Sequence, residues 1–106
     1  MTPTNAEIAD HLDAMHDVLL ARGRAKGTFG KRSGGPVCLM GASLVLYDPK
    51  RWATEGVAAL HLAAFWALRL RLGEAPTGWN DLPSTTDDMA FDLLRQTAKE
   101  LRDADS

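Results

Sequence analysis

The chain has 106 residues, 45% of them hydrophobic and 25% charged, with a formal net charge of −2. That length and composition fit one soluble globular domain and exclude a disordered or collagen-like chain. The charge excludes a globally basic nucleic-acid binder, and a single cysteine, Cys38, excludes an intramolecular disulfide and favours a reducing compartment.

The start, Met1 to Glu7, has neither a basic nor an apolar segment, so no secretory signal is expected. The most apolar stretch, Val57 to Leu68, is too short to span a bilayer, which needs about 20 residues. A cytoplasmic setting with no membrane partner is the expectation. Thr4-Asn5-Ala6-Glu7 spells a capping box, in which each end satisfies a free N–H of the other. Ile8, Leu12, Met15 and Leu19 then recur at helical spacing, and Gly23 is a natural stop, which predicts a helix over residues 5–22.

Residues 24–36 hold four glycines and a proline and read as a long loop. Val37 to Tyr47 is apolar except at Ser43. Such a run suits a buried helix or a buried strand. Pro36 at a first helical position and the face Cys38, Leu39, Ala42, Val45 and Leu46 favour helix, while Val45 and Tyr47 lean to strand. Gly41-Ala42 would permit close packing against another helix. Asp48-Pro49 ends the segment.

Thr54 is a cap for a helix over residues 55–72, with Val57, Leu60, Ala64, Leu68 and Leu72 on one side and His61, Phe65 and Trp66 adjacent. Leu62 and Leu70 fall elsewhere, so its middle turns are apolar almost all round. That suits a central helix or a subunit interface. Gly73 stops it, and residues 74–84 form a second loop containing Trp79-Asn80-Asp81. A last helix is expected from Ser84 or Thr85, with Ala90, Leu93, Leu94, Ala98 and Leu101 inward. The fold expected is all-α: one domain over residues 1–106, ordered over about 4–102, with about four helices in a non-parallel bundle.

Four places carry candidate chemistry. Cys38 in a first helical turn would have a dipole-stabilised thiolate. A nucleophile there needs a base from His11, His16 or His61 and an orienter such as Asn80 or Asp81. The structural alternative is a buried, apolar-like thiol. His61 is a ligand or proton shuttle, or a core histidine bonded to a carbonyl. His11 and His16 are five apart, which does not suit two ligands on one face, so no metal site and no cofactor is expected.

Residues 22–51 hold seven basic residues against one acid, Asp48. Arg24, Lys26, Phe29, Lys31 and Arg32 thus form a candidate partner-binding loop for an acidic protein or for nucleic acid, or a solvated loop pairing with the domain's own acids. Trp79-Asn80-Asp81 suits an anchor followed by backbone capping, with Asn80 or Asp81 bonding free N–H groups where the Cys38 helix starts. No P-loop, dinucleotide or metalloprotease motif is present.

The Cys38-Leu39-Met40-Gly41-Ala42 and Trp79-Asn80-Asp81 segments, followed by a helix that begins with threonine, resemble an uncharacterised family of short actinobacterial and phage proteins, in which C-x-x-G-A and W-N-D recur in this order. The resemblance covers roughly residues 15–102. It implies no enzymatic activity and makes a phage-encoded or phage-derived protein that binds a host component plausible. Relatives commonly carry a tryptophan before C-x-x-G-A, where this chain has Arg24 or Ala25.

Three functions follow. The first is a non-enzymatic interaction protein using the 22–36 loop or an apolar patch around Trp52, Phe65 and Trp66. The second is a hydrolase or transferase built on Cys38 with a histidine base. The third is a nucleic-acid binder using the basic loop. A homodimer through residues 55–72 is compatible with each.

Overall fold

A computed structural model describes residues 2–46 and 57–105. Its elements run α1 (Asn5–Arg22), β1 (Gly30–Lys31), β2 (Gly34–Val37), α2 (Leu39–Val45), α3 (Val57–Leu72), α4 (Pro76–Asp81) and α5 (Asp87–Ala104). The architecture is helical, as the periodicity predicts, with one small antiparallel two-stranded sheet added. Trp52, the Thr54 cap and the Asp48-Pro49 stop lie outside the described residues.

Helix α1 begins with the capping box. Thr4 Oγ1 accepts the Glu7 N–H at 3.1 Å, and Glu7 Oε1 accepts the Thr4 N–H at 3.0 Å. It ends at Gly23, whose N–H donates to the Leu19 carbonyl at a left-handed φ of 86°. Its stripe of Ala9, Leu12, Met15 and Leu19 is buried. This helix, not α3, is the central element. It packs most extensively on α5 and also touches α2, α3 and β2. Helix α3 lies to one side of it, fully buried at Ala64 and Leu68.

Four features differ from the sequence reading. Residues 30–37 form a hairpin, with Gly30 opposite Val37 and Lys31 opposite Gly34. Weak β-propensity in Gly34-Gly35-Pro36 conceals it; on its other side Val37 makes a parallel bridge to Arg24. The Val37 N–H donates to Gly23 O (3.2 Å), and its carbonyl accepts from the Ala25 N–H (2.9 Å). Val37 is therefore strand, Cys38 becomes the N-cap, and α2 starts two residues later than Val37. In the second loop, Pro76 opens the short helix α4, which carries Trp79-Asn80-Asp81 in its last turn. Helix α5 starts at Asp87 because the Thr86 hydroxyl takes the capping role, accepting from the Met89 N–H (3.2 Å), while the Thr85 hydroxyl donates to the Trp79 carbonyl (2.7 Å).

Gly41 does allow close packing, but against the hairpin. A Cβ at Gly41 would sit inside contact distance of the Phe29 carbonyl oxygen. That oxygen is held by the Cys38 N–H (3.3 Å), so the backbone there cannot yield cheaply. Gly41→Ala should cost about 2–3 kcal/mol in urea denaturation. A loss below about 0.5 kcal/mol would show that the hairpin gives way. No helix among the described residues is long and apolar enough to cross a membrane.

Candidate functional site

Three constellations emerge, and the sequence-predicted residues divide among them. The first locks the two loops together. Arg24, whose side chain is 3% exposed, points inward. Its Nε donates to Asp87 Oδ1 (2.8 Å), Nη1 to Asn80 O (2.6 Å) and Asn80 Oδ1 (3.3 Å), and Nη2 to Thr85 O (2.8 Å). A planar fork is the geometry that reaches so many acceptors at once. The guanidinium is thus engaged inside the fold and is not presented to a partner.

Asn80 is fully buried. Its Oδ1 accepts the Leu39 N–H (3.1 Å) at the first turn of α2, and its Nδ2 donates to Ala25 O (2.9 Å) and Asp81 Oδ1 (2.9 Å). The contact between this motif and the start of the Cys38 helix is the one its residue types suggest. Asp81 stands on the surface, and its carboxylate accepts the Gly27 N–H (2.9 Å). That bond and the Asn80 amide hold its pKa below the ordinary carboxylate value.

Cys38 belongs to the same assembly. Its Sγ accepts the Gly41 N–H (3.2 Å) as the cap of α2, and the residue is buried. Burial pushes its thiol pKa up, and this outweighs the bonds from backbone N–H groups. A small cleft of about 140 Å³ beside it is lined by Gly27, Thr28, Phe29, Cys38, Thr77 and Asp81, with no imidazole. The remaining loop cations are turned largely to carbonyls. Arg22 donates to Gly35 O (2.8 Å) and to the carbonyls of Lys31 and Arg32, Arg32 to Leu44 O (3.0 Å), and Lys26 to Leu82 O (3.1 Å). Phe29 and Lys31 are exposed on the hairpin.

The second constellation was not legible in the sequence. Ser43 Oγ lies 2.7 Å from His11 Nε2 and 2.8 Å from His61 Nδ1, bridging α1, α2 and α3. A hydroxyl has one proton, so it donates to one ring and accepts from the other. Of the two ring nitrogens that face it, one therefore carries a proton and the other does not. Burial, with His61 nearby, lowers the His11 pKa to about 4, and burial lowers that of His61 also. A serine within reach of an imidazole has the spacing of a nucleophile and its base. Ser43 is fully buried, however, and neither the cleft beside Cys38 nor the groove between α3 and α5 is lined by Ser43, His11 or His61. A single hydroxyl in an apolar helix was the available signal, and it needed the two histidines to be placed.

His16 sits apart at the seam of α1 and α5, where its Nε2 accepts from Arg95 Nε (3.2 Å) and its ring stands edge-on to Phe91 at 5.2 Å. His11 and His16 are not brought together at one site. Among the described residues, no three His, Cys, Asp or Glu cluster as metal ligands.

The third constellation is a surface. Leu62, Trp66 and Leu70 are 55%, 54% and 82% exposed. At spacings of four they form one stripe along α3. Arg69 lays its guanidinium 5.8 Å from the Trp66 ring centre, and Phe65 turns inward against the core. Beside the stripe runs an open groove of about 490 Å³ between α3 and α5.

The model of a family of unknown function (DUF6197) matches residues 3–100. The chain belongs to that family. The match takes in α1 through most of α5, so the loop lock, the buried serine and the exposed stripe all lie within it. No curated protein and no solved structure matches the chain.

Proposed function

We propose that this chain is a non-enzymatic interaction protein that docks on another protein through the exposed face of α3. One observation carries the reading: Leu62, Trp66 and Leu70 stand in water on a helix whose middle turns are apolar almost all round. A helix of that composition is normally covered on every side. Tryptophan in such a patch is the residue type most enriched at interface hot spots. The buried, capping role of Cys38 and the enclosure of Ser43 support a non-enzymatic reading. The internal bonds of Arg22, Arg24, Lys26 and Arg32 favour the α3 face over the basic loop as the docking element. A cytoplasmic setting and a host-directed partner accompany this reading, resting on the lone cysteine and on the C-x-x-G-A and W-N-D segments.

The test is capture from bacterial cytosol on immobilised chain, with and without nuclease. Leu70→Glu is the comparison, since a side chain 82% exposed can be changed without touching the core. The expected result is a stoichiometric protein band that survives nuclease and is lost with Leu70→Glu, at an unchanged melting temperature. Equal capture by both chains would move docking off α3, and a band lost with nuclease would favour nucleic acid.

A further inference from the structure

We infer that the β1–β2 hairpin is a second binding surface, independent of the α3 face, and that its ligand is single-stranded nucleic acid. Arg22, Lys31 and Arg32 meet phosphates there, and Phe29 stacks on an unpaired base.

The charge of the hairpin is not cancelled within the fold. Between Asp17 and Asp48 the chain carries five cations and no acid. Two of the five are answered from elsewhere. Arg24 pairs with Asp87, and Lys26 lies in the field of Asp81, which also lines the cleft beside Phe29. Among the described residues, no carboxylate pairs with Arg22, Lys31 or Arg32. Arg22 instead bonds the carbonyls of Lys31, Arg32 and Gly35, which gathers it onto the same turn. Arg32 bonds the carbonyl of Leu44.

Carbonyl partners engage the donors of a guanidinium but leave its charge. All three nitrogens of Arg22 are committed, so its fork is closed to the bidentate grip that a protein carboxylate favours. What remains is a fixed positive charge beside the exposed Lys31 and Arg32. Point charges held in place are what a phosphate backbone needs, because binding there is driven by release of its counterions.

Shape and the aromatic side chain narrow the ligand. Gly34 and Gly35 face open space with no side chain, so a phosphate can approach the turn closely. Phe29 precedes the first strand and is 51% exposed. Its carbonyl accepts the Cys38 N–H (3.3 Å), which steadies the backbone that carries the ring. An aromatic ring in water beside cations is the device by which single strands are held without regard to sequence. A duplex keeps its bases stacked and offers the ring nothing comparable, and neither does an acidic peptide.

Fluorescence anisotropy on the full chain, with a labelled oligothymidylate of about fifteen nucleotides, provides the test. The expected result is saturable binding at about 50 mM salt that weakens about 15- to 20-fold at 200 mM, the dependence for three phosphates on a single strand. Lys31→Ala removes an exposed side chain and should flatten the salt slope by about 0.7. Phe29→Leu keeps the apolar bulk and removes the stacking face. It should weaken binding roughly fivefold at an unchanged slope and an unchanged melting temperature. No binding at about 50 mM salt overturns the proposal. So does a Phe29→Leu chain that binds like the parent, or a duplex or polyglutamate that competes as well as the single strand, since either would reduce the hairpin to a non-selective cationic patch. The α3 reading is judged separately. Leu70→Glu should bind the oligonucleotide like the parent, and a loss there would move the nucleic acid off the hairpin and overturn the assignment.

Discussion

Asn80→Ala should destabilise the fold by about 3–5 kcal/mol, a large part of the roughly 5–15 kcal/mol that holds a domain together. Truncation strands the Leu39 N–H at the head of α2 and the Ala25 carbonyl, both in the wall around a fully buried side chain. It also takes one acceptor from the inward-pointing Arg24 guanidinium. Each buried group left without its partner costs about 1–3 kcal/mol. Asn80→Asp separates bonding from shape. It keeps the acceptor for Leu39 and Arg24 but turns a second oxygen toward the Ala25 carbonyl and the Asp81 carboxylate, which the amide now serves as donor. It should still cost about 2 kcal/mol. Urea denaturation gives the totals, and hydrogen exchange at the Leu39 amide gives the locus. An alanine variant within about 1 kcal/mol of the parent would show that the loops are held together by other contacts.

Acid should loosen the protein well above the pH at which carboxylates protonate. Folded His11 has a pKa near 4 against an ordinary 6.5, because its ring is buried and faces a second imidazole across Ser43. Between those values the unfolded chain takes up a proton that the folded chain refuses. The stabilisation is fully present above pH 6.5 and is lost as pH falls toward 4. From pH 7 to pH 5 this linkage removes about 2 kcal/mol, and the lowered His61 adds in the same direction. The comparison is His11→Gln, whose amide retains a polar partner for Ser43 and does not titrate. Its stability should fall much less over that interval. Parallel pH curves for the two chains would place the acid sensitivity elsewhere.

Local chemistry made much of the chain legible. A capping box, a four-three-four apolar stripe and a glycine stop are signals within one turn of the residues they act on, so α1 was readable to its ends. The same holds for the stop at Gly73, whose N–H donates to Arg69 O (2.8 Å). Trp79-Asn80-Asp81 was readable as a capping motif because short polar side chains after an anchor have few other uses. The unusual composition of residues 55–72 announced an apolar surplus, which the sequence reading set at the centre of the domain or at a subunit interface.

What tertiary structure alone decided involves partners far apart in the chain. Arg24 looked like one cation in a basic loop. Its role comes from acceptors at residues 80, 85 and 87, from 56 to 63 residues away, which no local window contains. Val37 pairs with Gly30 on one side and bonds Gly23 and Ala25 on the other, despite the poor strand propensity of Gly34-Gly35-Pro36. Ser43 becomes a bridge only when three helices bring His11 and His61 to it from 32 residues before and 18 after. By itself the sequence determined the helical class, α1 with both its caps and the presence of an apolar surplus on α3. Which polar groups are enclosed, and which leucines are left in water, was settled by packing, because burial belongs to the assembled surface and not to any residue alone.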